Sequence, residues 1–138
     1  MDIYGHKNLT IKFNKKFSDL PGWFRMAKTE NAVISCDYGW GFVNWHSGIW
    51  HRGEWKQGTW HDGKWINGTW FGGDWHGGVW HNGTWIKGHW GDGVWLNGDW
   101  KNGVRERGLW ISGQFFGKKC VGFTNKRHRK YGQTPIFV

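Results

Sequence analysis

Large aromatic, small and polar residues alternate with a period of five along the middle of the chain. The stretch GTWFGGDWHGGVWHNGTW, residues 68–85, has a tryptophan at every fifth position and a glycine two residues before each one. Trp occupies every fifth position from 40 to 100, followed by Arg at 105, Trp at 110 and Phe at 115, while Gly occupies every fifth position from 48 to 113. The unit is therefore G-x-W-x-x, and such internal repetition indicates a stacked repeat architecture.

Tight turns joining very short extended segments explain this period better than a helix does. A glycine at every fifth helical position would cost about 1 kcal/mol each relative to alanine. Asn or Asp precedes the glycine at positions 62, 67, 82, 92, 97 and 102, and such pairs favour two-residue turns because both residues tolerate positive φ. At Arg52, Gln57, Lys87 and Arg107 a type II turn fits better, since only the glycine then needs positive φ.

The tryptophans are predicted to form the core. Burying one indole contributes about 5 kcal/mol, whereas ordering five residues costs about 7 kcal/mol, so only a stack of units that share contacts can fold. The sequence predicts an all-β fold, a β-solenoid with Trp inside; a β-meander of three-residue strands is the alternative. The predicted core residues are Trp45, Trp50, Trp55, Trp60, Trp65, Trp70, Trp75, Trp80, Trp85, Trp90, Trp95, Trp100 and Trp110.

The units GTWHD and GVWHN resemble those of the pentapeptide-repeat family, in which a small residue stands two places before a large inward one. This resemblance implies a quadrilateral β-helix with four units per coil. Matches at a spacing of 20 residues, such as His61 and His81, fit that coil, but matches at 15, such as Asn67 and Asn82, fit slightly better, so the coil size stays open. A weaker likeness is to MORN repeats, which share the G-x-W-x-x-G core.

Three segments follow from the pattern: an N-terminal β cap segment, residues 1–38, the repeat, residues 39–117, and a basic C-terminal segment, residues 118–138. The repeat holds seven basic and six acidic residues, whereas the C-terminal segment holds six basic residues and no acid. The six are Lys118, Lys119, Lys126, Arg127, Arg129 and Lys130. This segment is either a solvated charge run or a contact for nucleic acid.

The overall composition of the chain narrows the range of functions that the protein could have. Lys and Arg outnumber Asp and Glu by 19 to 10, which favours a polyanionic partner. We expect no membrane partner, because no stretch is apolar enough for a membrane span, and the N-terminus does not read as a secretory signal. Cys36 and Cys120 are isolated, which is typical of reduced thiols and a cytoplasmic location, or a virion if the protein is viral. Catalytic motifs are absent, so we expect neither enzyme activity nor a cofactor.

Histidine and one arginine are the remaining candidates for chemistry. His46, His51, His61, His76 and His81 each follow a tryptophan. They are either exposed side chains or a ladder that binds metal or senses pH, and the ladder requires His46 beside His51, His76 beside His81, or His61 on His81. Arg105 replaces an inward tryptophan, and we expect it to reach water, pair with Glu106 or contact an anion.

The sequence predicts a non-enzymatic repeat scaffold that presents a rigid basic surface to a polyanion or to a nucleic-acid-associated partner. A structural or assembly component, for example of a phage or other virus particle, is the alternative, and an inhibitor of a host protein is a second one. Pentapeptide-repeat proteins often bind nucleic-acid enzymes by mimicking DNA. That role requires an acidic surface and does not carry over to this basic chain.

Overall fold

The structure is a computed structural model that describes residues 3–13, 15–36 and 41–116, together with the backbone of two C-terminal strands. The strands of the N-terminal part and the first coil are β1 (His6–Lys7), β2 (Thr10–Ile11), β3 (Lys28–Cys36), β4 (Val43–Arg52) and β5 (Glu54–Trp55). A 3-10 turn (Phe17–Asp19) and the short helix α1 (Gly22–Arg25) lie between β2 and β3. No helix in the described part of the chain is long and apolar enough to cross a membrane.

The repeat continues as a series of very short strands, nearly all of two residues. They are β6 (Gly58–Trp60), β7 (Lys64–Trp65), β8 (Thr69–Trp70), β9 (Asp74–Trp75), β10 (Val79–Trp80), β11 (Thr84–Trp85), β12 (His89–Trp90), β13 (Val94–Trp95), β14 (Asp99–Trp100), β15 (Val104–Arg105), β16 (Leu109–Trp110) and β17 (Gln114–Phe115). The C-terminal pair, β18 (Phe123–Thr124) and β19 (Ile136–Phe137), is antiparallel.

Each strand of the repeat pairs in parallel with the strand fifteen residues further on. Trp50 is in register with Trp65, and Trp65 with Trp80. One coil therefore holds three pentapeptides and the solenoid has three sides, with about five turns. We call them side A, which carries Trp45, side B, which carries Trp50, and side C, which carries Trp55. The predicted solenoid is confirmed, and the β-meander is wrong because the pairing is parallel and never between consecutive units.

The coil differs from the one that the family resemblance implies. Three units close a turn instead of four, so the matches at a spacing of 15 reflect true neighbours and those at 20 do not. Around each turn the three indoles meet edge to face, as between Trp80 and Trp85, whose ring centroids are 5.8 Å apart with planes at 71°. Three such rings fill the triangular cross-section, and no described tryptophan of the repeat is more than 1% exposed.

Along the axis the indoles form three columns of parallel rings. Trp70 stacks on Trp85 at 4.9 Å and 4°, and Trp80 on Trp95 at 4.7 Å and 6°. Offset stacking and edge-to-face contact are the two arrangements that the ring quadrupole favours, so both directions of packing are stabilising. Some indole nitrogens also donate to the next coil, as Trp65 Nε1 does to the Asn82 carbonyl at 3.1 Å. Others, such as that of Trp70, have no acceptor among the described residues.

The corners require glycine for two reasons. The corner glycines have φ between 105° and 134°, a region that residues with a Cβ rarely adopt. A Cβ built on Gly88 would also lie 2.6 Å from the carbonyl oxygen of Gly73 in the coil below. The predicted turns in which the preceding residue also takes positive φ are wrong, because all non-glycine residues of the described chain with positive φ lie before the repeat.

The N-terminal residues close one end of the solenoid. Strand β3 pairs antiparallel with β4 and covers its free edge, which would otherwise be a template for aggregation. The buried ring of Phe24 in α1 lies 6.0 Å from Trp50, and Trp23 lies 5.2 Å from Trp55. The first coil thus has aromatic neighbours on its open side.

Alanine substitution should have different effects on stability at a corner glycine with positive φ and at a glycine that directly precedes one. We expect Gly88→Ala to lower the free energy of unfolding by more than about 2 kcal/mol, because it combines a forbidden φ with a backbone clash. Gly72 has no positive φ, and its built Cβ meets no atom closer than the Lys56 oxygen at 3.6 Å. Gly72→Ala should therefore leave stability within about 1 kcal/mol of the parent chain. Urea unfolding measures both, and equal losses would contradict the packing described.

Candidate ligand-binding surface

The residue before each corner glycine determines whether a side chain covers the corner of the coil or leaves it open. Asn or Asp stands in this place at six corners, and at four of them its side-chain oxygen accepts a hydrogen bond from the glycine amide. Asp62 does so for Gly63, and Asp92 for Gly93, each at 2.8 Å. The preference for Asn and Asp thus comes from this local hydrogen bond, since these residues do not adopt positive φ here.

Two consecutive corners carry glycine in this place and leave open notches. Gly72 lies at the corner between sides C and A, and Gly77 at the corner between sides A and B. The backbone requires neither: both lack positive φ, and the atoms nearest to a built Cβ are 3.6 Å away at Gly72 and 3.4 Å at Gly77. A side chain would fit at both, so the two glycines change the shape of the surface without being needed for the coil.

The notch at Gly72 is basic and partly aromatic. It has a volume of about 450 Å³, and Lys56, Lys87, Asp74 and Phe42 are among its lining residues. Phe42 is 40% exposed. Lys56 Nζ lies 3.7 Å from the ring centre of Phe71 and 3.4 Å from Glu54 Oε1. Two lysines and one aspartate line this notch, and Glu54, the partner of Lys56, lies outside the lining, so the lining itself has a net positive charge.

The notch at Gly77 has a similar size but a balanced charge. Its volume is about 530 Å³, and His76, Asp92 and Arg107 contribute its polar lining. Arg107 Nε lies 3.6 Å from Asp92 Oδ2, so the guanidinium and the carboxylate offset each other. The two notches therefore differ in charge while sharing the same backbone geometry.

Three histidines form a stacked row on the outside of side A. The rings of His46 and His61 are 5.4 Å apart and nearly parallel, and His61 lies at the same distance from His76. None of the three expected pairings occurs, because neighbours are fifteen residues apart. Burial, then the charges of Lys12 and His61, lowers the pKa of His46, whose Nε2 lies 3.1 Å from Ser35 Oγ. Burial, then His76, lowers the pKa of His61.

The other two candidate histidines lie on side B and do not meet. His51 Nε2 is 3.0 Å from Glu30 Oε1. His81 aligns with Ile66 and Leu96, and its Nε2 is buried without a hydrogen-bond partner among the described residues. Stacked rings do not direct their nitrogens to one point, and the described ranges contain no group of His, Cys, Asp or Glu residues able to hold a metal ion.

Arg105 lies inside the solenoid. It takes the place of a tryptophan above Trp90 and is 4% exposed. Its guanidinium carbon lies 3.8 Å from the ring centre of Phe115 and 5.2 Å from that of Trp100, so the aromatic faces stabilise the charge. Glu106 points outward and binds His89 at 2.6 Å, so the expected pair with Arg105 is not formed. Arg105 is not placed to contact a partner at the surface.

Side B carries a group of apolar residues on its outer surface, next to Lys64 and His81. Val79, Val94 and Leu109 are in register on successive coils, one residue before each tryptophan. Ile66, Leu96 and Ile111 occupy the position after the tryptophan, and Ile111 is 44% exposed. We call these six residues the side B apolar patch.

The basic C-terminal residues of the sequence-based prediction cannot be placed. Lys118, Lys119, Lys126, Arg127, Arg129 and Lys130 lie outside the described residues, as does Cys120. Sequence reasoning missed the two notches, although the segment FGGDWHGG marked both with a second glycine.

Acid should destabilise the folded chain through the three histidines whose pKa is lowered. The pKa values of His46 and His61, and of His6 because of burial, lie below the ordinary 6.5. Folding then favours the neutral rings, so the stabilisation is complete above pH 6.5 and falls as the pH drops through the lowered values. We expect the urea midpoint to decrease between about pH 7.5 and pH 5, and His61→Gln to reduce that decrease. His51→Gln, which lies outside the stack, is the control; an unchanged slope in His61→Gln would contradict this account.

No known protein family, no curated protein and no solved structure matches this chain.

Proposed function

We propose that this protein is a non-enzymatic repeat scaffold that binds a polyanion or a nucleic-acid-associated partner. The distribution of charge carries the proposal. The repeat, residues 39–117, is nearly balanced, whereas the segment 118–138 has six basic residues and no acidic one. A basic segment that follows a rigid solenoid in the sequence can supply cations to a phosphate backbone, and phosphate contacts dominate nucleic-acid affinity.

The solenoid supports this role by its rigidity. Every coil is fixed by backbone hydrogen bonds to its neighbours, such as His81 N to the Trp65 oxygen at 2.7 Å, and by three buried indoles. Little conformational entropy remains to be lost on binding, so outward side chains are preorganised. Two notches and an apolar patch interrupt the otherwise regular outer surface.

Salt dependence of nucleic-acid binding tests the proposal. We expect DNA or RNA affinity to fall steeply with salt, with a log–log slope of about −0.9 for each phosphate contacted in a duplex. Replacing Lys126, Arg127, Arg129 and Lys130 by Gln in the full chain should weaken binding and flatten the slope. Lys64→Gln, which removes one charge on side B, shows how much the loss of a single charge from the repeat weakens binding and should have a smaller effect. No binding at low salt, or binding that the four substitutions leave unchanged, would refute the proposed role.

The side B apolar patch favours a second candidate function, that of an assembly component. Flat apolar surfaces on a soluble protein mark contacts with other proteins. We expect self-association that is insensitive to salt and that Val94→Lys abolishes in analytical ultracentrifugation. Thr84→Lys places the same charge at the equivalent position of side C and should have no effect. If the protein is a monomer at every concentration measured, self-assembly through the side B apolar patch is contradicted.

A further inference from the structure

The notch at Gly72 lacks one oxygen that other corners supply. At four of the six corners where Asp or Asn precedes the corner glycine, the glycine amide donates to that side chain, as Gly63 does to Asp62 and Gly103 to Asn102, both at 2.8 Å. Gly72 has no side chain to offer Gly73. Gly73 has the same left-handed backbone as the others, with φ 111° against 127° at Gly63, and it lines the notch. Its amide is thus directed at the place where a carboxylate oxygen lies at Asp62.

The charges around the notch favour an anion in that place. Lys56 and Lys87 line the notch together with Asp74, so a bound oxyanion would meet two ammonium groups and one carboxylate. The pair between Lys56 and Glu54 is exposed, with the side chains 42% and 60% accessible, and such surface pairs exchange partners at little cost. The lining of the notch at Gly77 holds one guanidinium, that of Arg107, and one carboxylate, that of Asp92, so the same backbone geometry there lacks a net charge to attract an anion.

We propose that the Gly72 notch binds one phosphate group of a nucleic-acid strand through the Gly73 amide, Lys56 and Lys87. The inference rests on the proposed function and names the place on the solenoid where the strand is held. A backbone amide and two lysines are the donors that phosphate oxygens commonly take in proteins. The 40% exposed ring of Phe42 lines the same notch and offers an apolar surface to the attached nucleoside, which favours a nucleotide in a single strand over inorganic phosphate.

Replacing Gly72 by asparagine, the residue found at the same place in other corners, tests the proposed site. Gly72→Asn introduces the side chain that other corners carry, so the coil should fold as before while the added oxygen takes the Gly73 amide and fills the notch. We expect the affinity of the full chain for a short oligothymidylate to fall about tenfold, the loss typical of one charge-assisted hydrogen bond. Lys87→Gln should weaken binding and reduce the salt slope by about 0.7, the value for one phosphate of a single strand. Gly77→Asn is the matched control and should bind like the parent chain.

Amide chemical shifts identify the ligand directly. On titration with the oligothymidylate we expect the Gly73 resonance to move and that of Gly78, beside the notch of balanced charge, to stay. If inorganic phosphate or polyglutamate moves Gly73 at the same concentration as the oligonucleotide does, the site recognises a simple anion or an acidic chain, and the nucleic-acid assignment is wrong.

The outcomes separate this inference from the proposed function. If the parent chain binds the oligonucleotide but Gly73 does not shift and Gly72→Asn binds equally well, the notch site is refuted while nucleic-acid binding stands. If the parent chain binds no nucleic acid at low salt, both are refuted.

Discussion

Close stacking of indole rings along the axis is the interaction on which the rest of the structure depends. Ring centroids of consecutive coils lie 4.5 to 5.0 Å apart in all three columns, which is also the spacing of hydrogen-bonded strands. Aromatic stacking and the backbone ladder therefore require the same rise per coil and reinforce each other. That agreement allows strands of only two residues to form a stable wall, which would be impossible for isolated strands of this length.

The glycines at the corners are the second requirement of the fold, beside the stacked indoles. At each corner the backbone must turn with positive φ while lying directly against the corner of the coil below, as Gly78 does on Gly63. A residue with a Cβ would fail on both counts, so each of these corners needs its glycine. The inward position holds tryptophan in every unit from Trp45 to Trp110 except at Arg105, and Phe115 follows. The remaining three positions point outward or sit at the corner, and they are free to vary. Side A consequently carries stacked histidines, side B an apolar patch and side C lysine beside phenylalanine.

This division separates the glycines that the turn requires from those that it does not require. Gly73 and Gly78 are needed for the turn, whereas Gly72 and Gly77 are not, since neither has positive φ and a Cβ would fit at both. Their effect is to remove side chains from two corners and leave notches of about 450 and 530 Å³. The side chains around the notches then distinguish the two, because Phe42, Lys56 and Lys87 line the notch at Gly72, whereas Asp92 and Arg107 line the one at Gly77.

The sequence by itself determined the composition of the interior and of the corners. A row of tryptophans with a period of five can be removed from water only if successive units stack on one another. The core residues from Trp45 to Trp110 therefore follow from the repeat. The number of units per coil did not follow, because matches at 15 and at 20 residues were nearly equal in frequency and closure depends on how three indoles fit edge to face. A coil of fifteen residues brings together other outward side chains than a coil of twenty would. His61 contacts His46 and His76, and Lys87 lies with Lys56 at the notch. Such contacts join residues a full coil apart, and only the tertiary closure of the solenoid decides them.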